Sequence, residues 1–183
     1  ALAAHGDRSG QILFQGRPLE DLDPRDQAQK IGFVLQRPDS QLVTDKVWHE
    51  IAFGLESLGY DNQTIRLRVA ELAFFFGMQN WFYQDVSSLS GGQKQMVNLA
   101  GIVALQPSVL LLDEPTSQLD PIAAANFLDM LKKINLNLGT TILLSEHRLE
   151  EVIHKADRLV ILDEGKVYTE GSVRQVIAKL SED

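Results

Sequence analysis

Cysteine is absent from this 183-residue sequence, which excludes disulfide bonds and thiolate metal ligands within it. No apolar run approaches the roughly 18 residues that a membrane-spanning helix needs. The opening residues, ALAAHGDRSG, lack the basic and apolar segments of a signal peptide, so the cytosol is the default compartment. Basic residues are outnumbered, with 17 Lys and Arg against 25 Asp and Glu, and the net charge of −8 argues against nucleic-acid binding by bulk electrostatics. These absences leave an ordinary globular domain as the expectation.

Short apolar runs alternate with segments of helical periodicity, which predicts an α/β fold. The run SVLLLDE is apolar along most of its length, so we expect a strand that is buried on both faces of a sheet. The last two runs would pair through a turn at Glu164 and Gly165. The predicted strands cover residues 10–16, 30–36, 108–114, 140–146, 158–164 and 165–171.

Helical periodicity predicts a long helix after the third apolar run. It would start at Pro121, a residue that suits the first helical position, and it would stop at Gly139. A shorter helix is expected at 149–156, and Ser172 would cap a final helix at 173–180. The apolar residues that follow helical spacing in the long helix are Ile122, Ala125, Leu128, Leu131, Ile134 and Leu138.

The stretch SSLSGGQKQMVNLAG places two glycines at the start of another predicted helix. Ser90 and Gln93 have the spacing of a capping box, so Ser90 would be the N-cap. Gly91 and Gly92 then lie in the first turn, where unpaired N–H groups point outward and the helix dipole favours an anion. Their missing side chains would let a phosphate approach the backbone. A flexible helix start without a ligand is the alternative interpretation.

Two adjacent carboxylates, Asp113 and Glu114, follow the most apolar run. In phosphoryl-transfer sites an aspartate at such a strand end holds Mg²⁺, directly or through water. The next carboxylate can position or deprotonate an attacking water. A solvated acidic turn is the alternative, and the similar pair Asp163 and Glu164 is interpreted in that way because a glycine and a short strand follow it.

In chain order, these motifs resemble the nucleotide-binding domain of ABC ATPases. LSGGQ at 89–93 is similar to the family's signature motif, VLLLDEP at 109–115 to its Walker B segment and SQLD at 117–120 to its D-loop. Gln36 and His147 fall where the family has its Q-loop glutamine and its switch histidine. The resemblance implies an α/β, P-loop NTPase-like ABC ATPase core with an inserted helical subdomain.

The resemblance covers essentially the whole chain and implies one partial ABC ATPase domain over 1–183. Residues 44–86 show no strand pattern and have helical periodicity, so the helical subdomain would lie within 40–88. Residues 89–183 would form the core that carries the Walker B, D-loop and switch-histidine segments.

The resemblance also implies a role for each matching residue, with ATP and Mg²⁺ as cofactors. Glu114 would be the catalytic base, and His147 would contact the γ-phosphate and help to position the water. Asp113 and Gln36 would serve the Mg²⁺ site, and Gln36 would also contact the nucleotide. The residues expected to face ATP held by a partner subunit are Ser90, Gly91, Gly92, Gln93 and Asp120.

A narrower resemblance links residues 36–59 and 145–152 to the ATPase subunits of energy-coupling-factor importers. It implies a subunit that energises import of a vitamin, a vitamin precursor or a metal ion. The implied partners are a second ABC ATPase subunit, identical or different, and a transmembrane coupling protein, with no nucleic acid. The implied location is the cytoplasmic face of the cell membrane, as a peripheral protein. Trp48, Phe53 and Leu55 are candidate contacts to the membrane protein, with core packing as the alternative.

One family motif is missing from the sequence. A P-loop requires G-x-x-x-x-G-K-[ST], but the single Gly-Lys pair is Gly165–Lys166, with Val160 in the place of the first glycine. We therefore expect an N-terminally truncated domain in which residues 1–16 contain the end of the P-loop helix and the next strand. A gap should separate the strand at 158–164 from the other strands. The chain alone is expected neither to bind ATP tightly nor to hydrolyse it.

Two other functions remain open at this stage. A soluble ABC ATPase of DNA repair or translation is one, although the acidic charge and the lack of a long coiled-coil or basic insertion argue against it. A non-catalytic ABC-like interaction module is the other, since the P-loop is missing. Co-purification with a transmembrane protein would support the importer, whereas nucleic acid or ribosomes would support the repair or translation function.

Overall fold

The computed structural model describes residues 9–181, in which strands and helices alternate. The predicted P-loop helix end at residues 1–8 lies outside the described residues. The strands are β1 (Leu13–Phe14), β2 (Arg17–Pro18), β3 (Ile31–Val34), β4 (Val109–Asp113), β5 (Thr141–Ser145), β6 (Arg158–Asp163) and β7 (Lys166–Ser172). The helices are α1 (Pro24–Lys30), α2 (Val47–Ser57), α3 (Asn62–Phe75), α4 (Gly91–Val103), α5 (Pro121–Leu138), α6 (Leu149–Val152) and α7 (Val173–Leu180).

The central sheet is parallel, with the strand order β3-β4-β5. Val34 pairs with Leu112, and Asp113 pairs with Ser145, so the three strands end nearly level with one another. Parallel strands need crossover connections, which helices supply here. Their carboxyl ends share one edge, where ligands of open α/β sheets bind. The predicted α/β fold is confirmed.

The two faces of this sheet differ in burial. Leu110 and Leu112 are almost fully buried against the side that α4 and α5 cover. On the opposite face, Phe33 is 46% and Leu143 is 63% exposed. The prediction that the 108–114 strand is buried on both faces holds fully for only one face within residues 9–181, because Val109 and Leu111 on the other face of β4 are half-buried. Alternate side chains point to opposite faces, and the described helices pack on only one of them.

The middle of the chain is helical, as predicted. α2 and α3 occupy most of residues 44–86, with one isolated bridge between Lys46 and Asp85. The side chains of α2 join the same hydrophobic cluster as those of α4 and β4. A Cβ built on Gly101 of α4 would lie 3.1 Å from the Glu50 carbonyl oxygen, so the glycine lets α2 and α4 approach closely. The subdomain boundary at 40–88 stays a prediction, because the core is continuous across it.

Helix α5 begins and ends where the sequence predicts. Asp120 caps it, Pro121 is its first residue, and Gly139 follows it with a left-handed φ of 69°. Its buried stripe is Ala124, Phe127, Leu128, Leu131 and Ile134. Of the residues whose spacing predicted this helix, Leu128, Leu131 and Ile134 are buried, whereas Ile122, Ala125 and Leu138 are exposed. The buried residues keep helical spacing, but the first of them is Ala124 and not Ile122.

The C-terminal hairpin is also confirmed. β6 and β7 pair antiparallel around Glu164 and Gly165, whose φ angles are 46° and 75°. Within the described chain, β6 pairs with no strand of the central sheet, so the predicted gap is present. Ser172 and Gln175 form a capping box at the start of α7. Over residues 9–181, no helix has both the length and the apolar character needed to cross a bilayer.

Candidate nucleotide site

The start of α4 is built by a reciprocal cap. The Gln93 N–H donates to Ser90 Oγ at 3.3 Å, and the Ser90 N–H donates to Gln93 Oε1 at 2.9 Å. The predicted capping box is therefore confirmed. In a helix the first N–H groups have no intrahelical acceptor, so the amides of Gly91 and Gly92 are left to face outward. An anion can be bound there by the backbone and the helix dipole.

The two glycines of this turn differ in their surroundings. A Cβ on Gly91 would have nothing within 4 Å, so this position is open to an approaching ligand. A Cβ on Gly92 would lie 2.9 Å from Ala123 Cβ, closer than real Cβ contacts allow. Gly92 is therefore required for packing α4 against the start of α5. Packing against Ala123 thus gives Gly92 a reason besides the predicted ligand access, which stays a prediction for both glycines.

The end of β4 places Asp113 and Glu114 beside Ser145 of β5. Ser145 Oγ donates to Asp113 Oδ1 at 2.8 Å. The Glu114 N–H donates to the Ser145 carbonyl at 3.1 Å and lies 3.3 Å from Ser145 Oγ. Glu114 has a φ of 43°, in the left-handed region that residues other than glycine rarely adopt. Glu164 in the β6–β7 turn has a similar φ of 46°, so the backbone angle alone does not separate Glu114 from an ordinary acidic turn.

Glu114 is the residue at which the predicted site converges. His147 Nε2 lies 2.6 Å from Glu114 Oε1, and Gln36 Nε2 donates to Glu114 Oε2 at 3.3 Å. The His147 side chain is 83% exposed, whereas that of Glu114 is 28% exposed. Residues that follow β3, β4 and β5 are thus brought together at the carboxyl edge of the sheet.

The predicted Mg²⁺ ligands form no complete cage. No group of three or more His, Asp or Glu side chains in residues 9–181 is arranged to hold a metal ion. Asp113 and Gln36 can offer oxygen atoms, which are the donors Mg²⁺ prefers. Mg²⁺ usually takes only one or two carboxylates, together with waters and substrate phosphates. The two residues therefore fit a metal ion that arrives with a nucleotide.

Asp120 has a structural role within the chain. Its Oδ1 accepts hydrogen bonds from the N–H groups of Ile122 at 3.0 Å and Ala123 at 2.9 Å. Ala123 is also the residue that touches the Gly92 position, so the D-loop and the start of α4 are neighbours. The predicted action of Asp120 across a dimer interface stays a prediction.

Sequence reasoning missed several polar residues around the site. Gln95 is fully buried and donates to the carbonyls of Leu35 at 3.3 Å and Pro115 at 3.1 Å, next to Gln36 and Glu114. Its Oε1 has no partner in the described structure. Ser145 could have been found from the register of parallel strands, since it ends β5 as Asp113 ends β4. Gln95 could have been found because it is a polar residue at a position of α4 where helical spacing predicts a buried side chain.

This arrangement defines a class of protein. A parallel sheet that gathers an acidic pair, a glutamine and a histidine at its carboxyl edge, beside a glycine-rich helix start, is typical of nucleotide-binding α/β proteins. A family model described as "ABC transporter" matches residues 2–117. The chain belongs to the ABC transporter family.

Curated relatives agree with this family. A Bacillus cereus ABC transporter ATP-binding protein is 50% identical over 177 residues, which are 97% of this chain and 32% of that protein. A Streptomyces avermitilis ABC transporter ATP-binding protein is 41% identical over 174 residues, 94% of this chain and 31% of that protein. The chain therefore spans about a third of the length of these relatives.

Solved structures confirm the ABC ATPase fold. CbiO1 of Clostridium perfringens, part of the ABC transporter complex CbiONQ, matches with a TM-score of 0.86 and 32% identity, over 95% of this chain and 70% of that one. The ATP-binding cassette MJ0796, a dimer in a post-hydrolysis state with ADP and Pi, matches with a TM-score of 0.75 and 25% identity, over 91% and 74%.

Proposed function

We propose that this chain is part of the ATP-binding and ATP-hydrolysing subunit of an energy-coupling-factor type importer. The observation that carries the proposal is the contact of Glu114 with both His147 and Gln36 at the carboxyl edge of the sheet. The three residues follow β3, β4 and β5, and they meet at the edge where ligands of open α/β sheets bind. Import of a vitamin, a vitamin precursor or a metal ion is the proposed transport process.

In this proposal Glu114 is the general base. Each of its carboxylate oxygens has one polar neighbour, which orients the group while leaving lone pairs for a water. His147 contacts the γ-phosphate and helps to position that water. Asp113 and Gln36 take part in binding Mg²⁺, which would neutralise phosphate charge when bound with ATP.

The start of α4 is proposed to face ATP that a second subunit holds. Ser90, Gly91, Gly92 and Gln93 present a capped helix start with an open approach at Gly91. Asp120 lies next to this helix start and belongs to the same surface. The dimer of the similar MJ0796 cassette supports this arrangement, and either an identical or a related subunit would satisfy it.

A groove on the helical part of the chain is the proposed contact with the transmembrane protein. It has a volume of about 480 Å³, and its aromatic lining is Trp48, Phe82 and Tyr83. Trp48 and Phe53 are both partly exposed, so these two predicted contacts are available. Leu55 is fully buried in the core, so the prediction that it is a contact is wrong. CbiO1, which is part of a CbiONQ complex, supports a peripheral position at the cytoplasmic face of a membrane.

The test uses the full-length protein expressed with its membrane partners. ATP turnover, and co-purification with an integral membrane protein, are the expected results. Trp48→Ala should weaken the co-purification while leaving ATP binding unchanged. Co-purification with nucleic acid or ribosomes, or turnover that is absent from the full-length complex, would contradict the proposal.

A further inference from the structure

We infer that Glu146, Thr116 and Arg148 form a clamp that positions His147 against Glu114. The inference rests on the proposed function, in which His147 and Glu114 act together on ATP. None of the three clamp residues is a motif residue of the predicted site. They act through the backbone that carries the site residues.

The position of the His147 ring must be fixed by something other than the packing of its own side chain. Its side chain is 83% exposed, so packing against neighbouring side chains does not fix it. Glu114 Oε1 contacts its ring at 2.6 Å, but a single contact to an exposed group gives little orientation. The place of the ring must therefore follow from the backbone at 146–148.

That backbone is anchored on both sides of His147 to one residue. Thr116 Oγ1 donates to Glu146 Oε1 at 2.6 Å, and the Thr116 N–H donates to the same oxygen at 3.2 Å. Arg148 Nη2 donates to the Thr116 carbonyl at 3.2 Å. Arg148 is itself held by an ion pair to Glu151 at 2.8 Å. Thr116 thus uses its hydroxyl, amide and carbonyl to bind the two residues that flank His147.

Burial makes this anchor rigid. Thr116 is fully buried, and Glu146 is half-buried between the exposed residues Ser145 and His147. Hydrogen bonds to a charged acceptor are stronger than those between neutral groups, and the loss of a partner would leave buried donors unpaired.

The anchor lies in the segment that carries the other half of the contact. Thr116 follows Glu114 by only two residues, and the Glu114 N–H already donates to the Ser145 carbonyl. The backbone of residues 114–116 therefore carries Glu114 directly and also holds the segment that carries His147. A displacement of the 146–148 segment would separate the ring from the carboxylate without changing either residue.

Two matched pairs of variants in the full-length protein test the clamp. Glu146→Ala and Thr116→Val remove its acceptor and its hydroxyl, whereas Glu146→Gln and Thr116→Ser keep them. We expect the first pair to lower ATP turnover on the order of 10- to 100-fold at temperatures well below their Tm, with little change in the KM for ATP. Glu146→Ala leaves the buried donors of Thr116 unpaired, so a fall in its Tm of about a few degrees is expected as well. The second pair should stay close to the unsubstituted protein.

A readout independent of hydrolysis is the NMR signal of the His147 ring in protein with ¹³C-labelled histidine, assigned by its loss in His147→Asn. Glu146→Ala should move that signal toward its position in Glu114→Gln, and Glu146→Gln should not. An unmoved signal, unchanged turnover in Glu146→Ala and Thr116→Val, or equal turnover losses in Glu146→Gln and Thr116→Ser would overturn the clamp. If the unsubstituted protein shows no turnover, the proposed function fails while the ring signal still decides this inference.

Discussion

His147 Nε2 lies 2.6 Å from Glu114 Oε1, across the carboxyl ends of β5 and β4. Gln36 Nε2 donates a hydrogen bond to the other carboxylate oxygen of Glu114, Oε2, at 3.3 Å. The two contacts together hold both carboxylate oxygens of Glu114. Proximity and orientation of this kind lower the barrier of a reaction by arranging the groups in advance.

The first prediction concerns Glu114 as general base. Glu114→Gln keeps the size of the side chain but removes its ability to accept a proton. Steady-state turnover of ATP by the full-length complex should fall roughly 100- to 10,000-fold, the usual contribution of a general base, while ATP binding is retained. Malachite-green phosphate release and binding of a fluorescent ATP analogue measure the two quantities.

Glu164 provides the matched control for this prediction. It lies in LDEG at 162–165, a stretch similar to the LDEP at 112–115, but the structure places it in the β6–β7 turn. Glu164→Gln should leave turnover within about twofold. Equal losses in the two variants would show that the effect of Glu114→Gln is not specific to the site.

The second prediction concerns His147. His147→Ala removes the ring that contacts Glu114, and we expect turnover to fall with little change in stability because the side chain is mostly exposed. His154 is also exposed and lies in the same part of the chain, so His154→Ala is the control. Turnover assays and thermal unfolding of both variants check this. Normal turnover in His147→Ala would remove His147 from the mechanism.

Local sequence signals were enough to predict the starts of α4, α5 and α7. The capping box of Ser90 with Gln93, and the N-cap Asp120 followed by Pro121, each depend only on residues that are close along the chain. The meeting of Glu114, His147 and Gln36 needed more. Parallel strand order brings such residues to one edge, but the resemblance to a known family was required to choose them from other polar residues.

Contacts between distant segments could not be predicted from spacing. The Gly92–Ala123 approach depends on how α4 and α5 cross, and the Thr116–Glu146 bond depends on the exact path of two loops. The exposed faces of Phe33 and Leu143 were missed for a related reason. An apolar strand shows that it can be buried, but not which of its faces other elements cover.

The third prediction separates the two glycines of the α4 start. Gly92→Ala places a methyl group against Ala123 and should lower the free energy of unfolding by about 1–3 kcal/mol, the usual cost of overpacking. Gly91→Ala has open space and should leave stability nearly unchanged while lowering turnover, since it narrows the approach to the α4 amides. Denaturant unfolding and ATP turnover measure these effects.

A double-mutant cycle tests the cause of the Gly92 effect. Ala123→Gly removes the opposing methyl group, so Gly92→Ala should be less costly in that background than alone. Additive losses would show that contact with Ala123 is not the reason. Unfolding of Gly91→Ala as severe as that of Gly92→Ala would contradict the assignment of a packing role to Gly92 and not to Gly91.

The fourth prediction concerns pH and the cap of α3. The Thr64 hydroxyl and the Thr64 and Gln63 amides donate to the Asp61 carboxylate, and these hydrogen bonds lower the pKa of Asp61 below its ordinary value. A group whose pKa is lower in the folded state stabilises the fold at pH values above its unfolded pKa, and the stabilisation is lost as pH falls through the folded pKa. Asp61→Asn keeps a capping side chain but has no charge to lose. The Tm difference between the two proteins should therefore be largest near neutral pH and shrink steadily as the solution is acidified below the ordinary range for aspartate. A Tm difference that is constant with pH would show that the charge of Asp61 does not contribute to the cap.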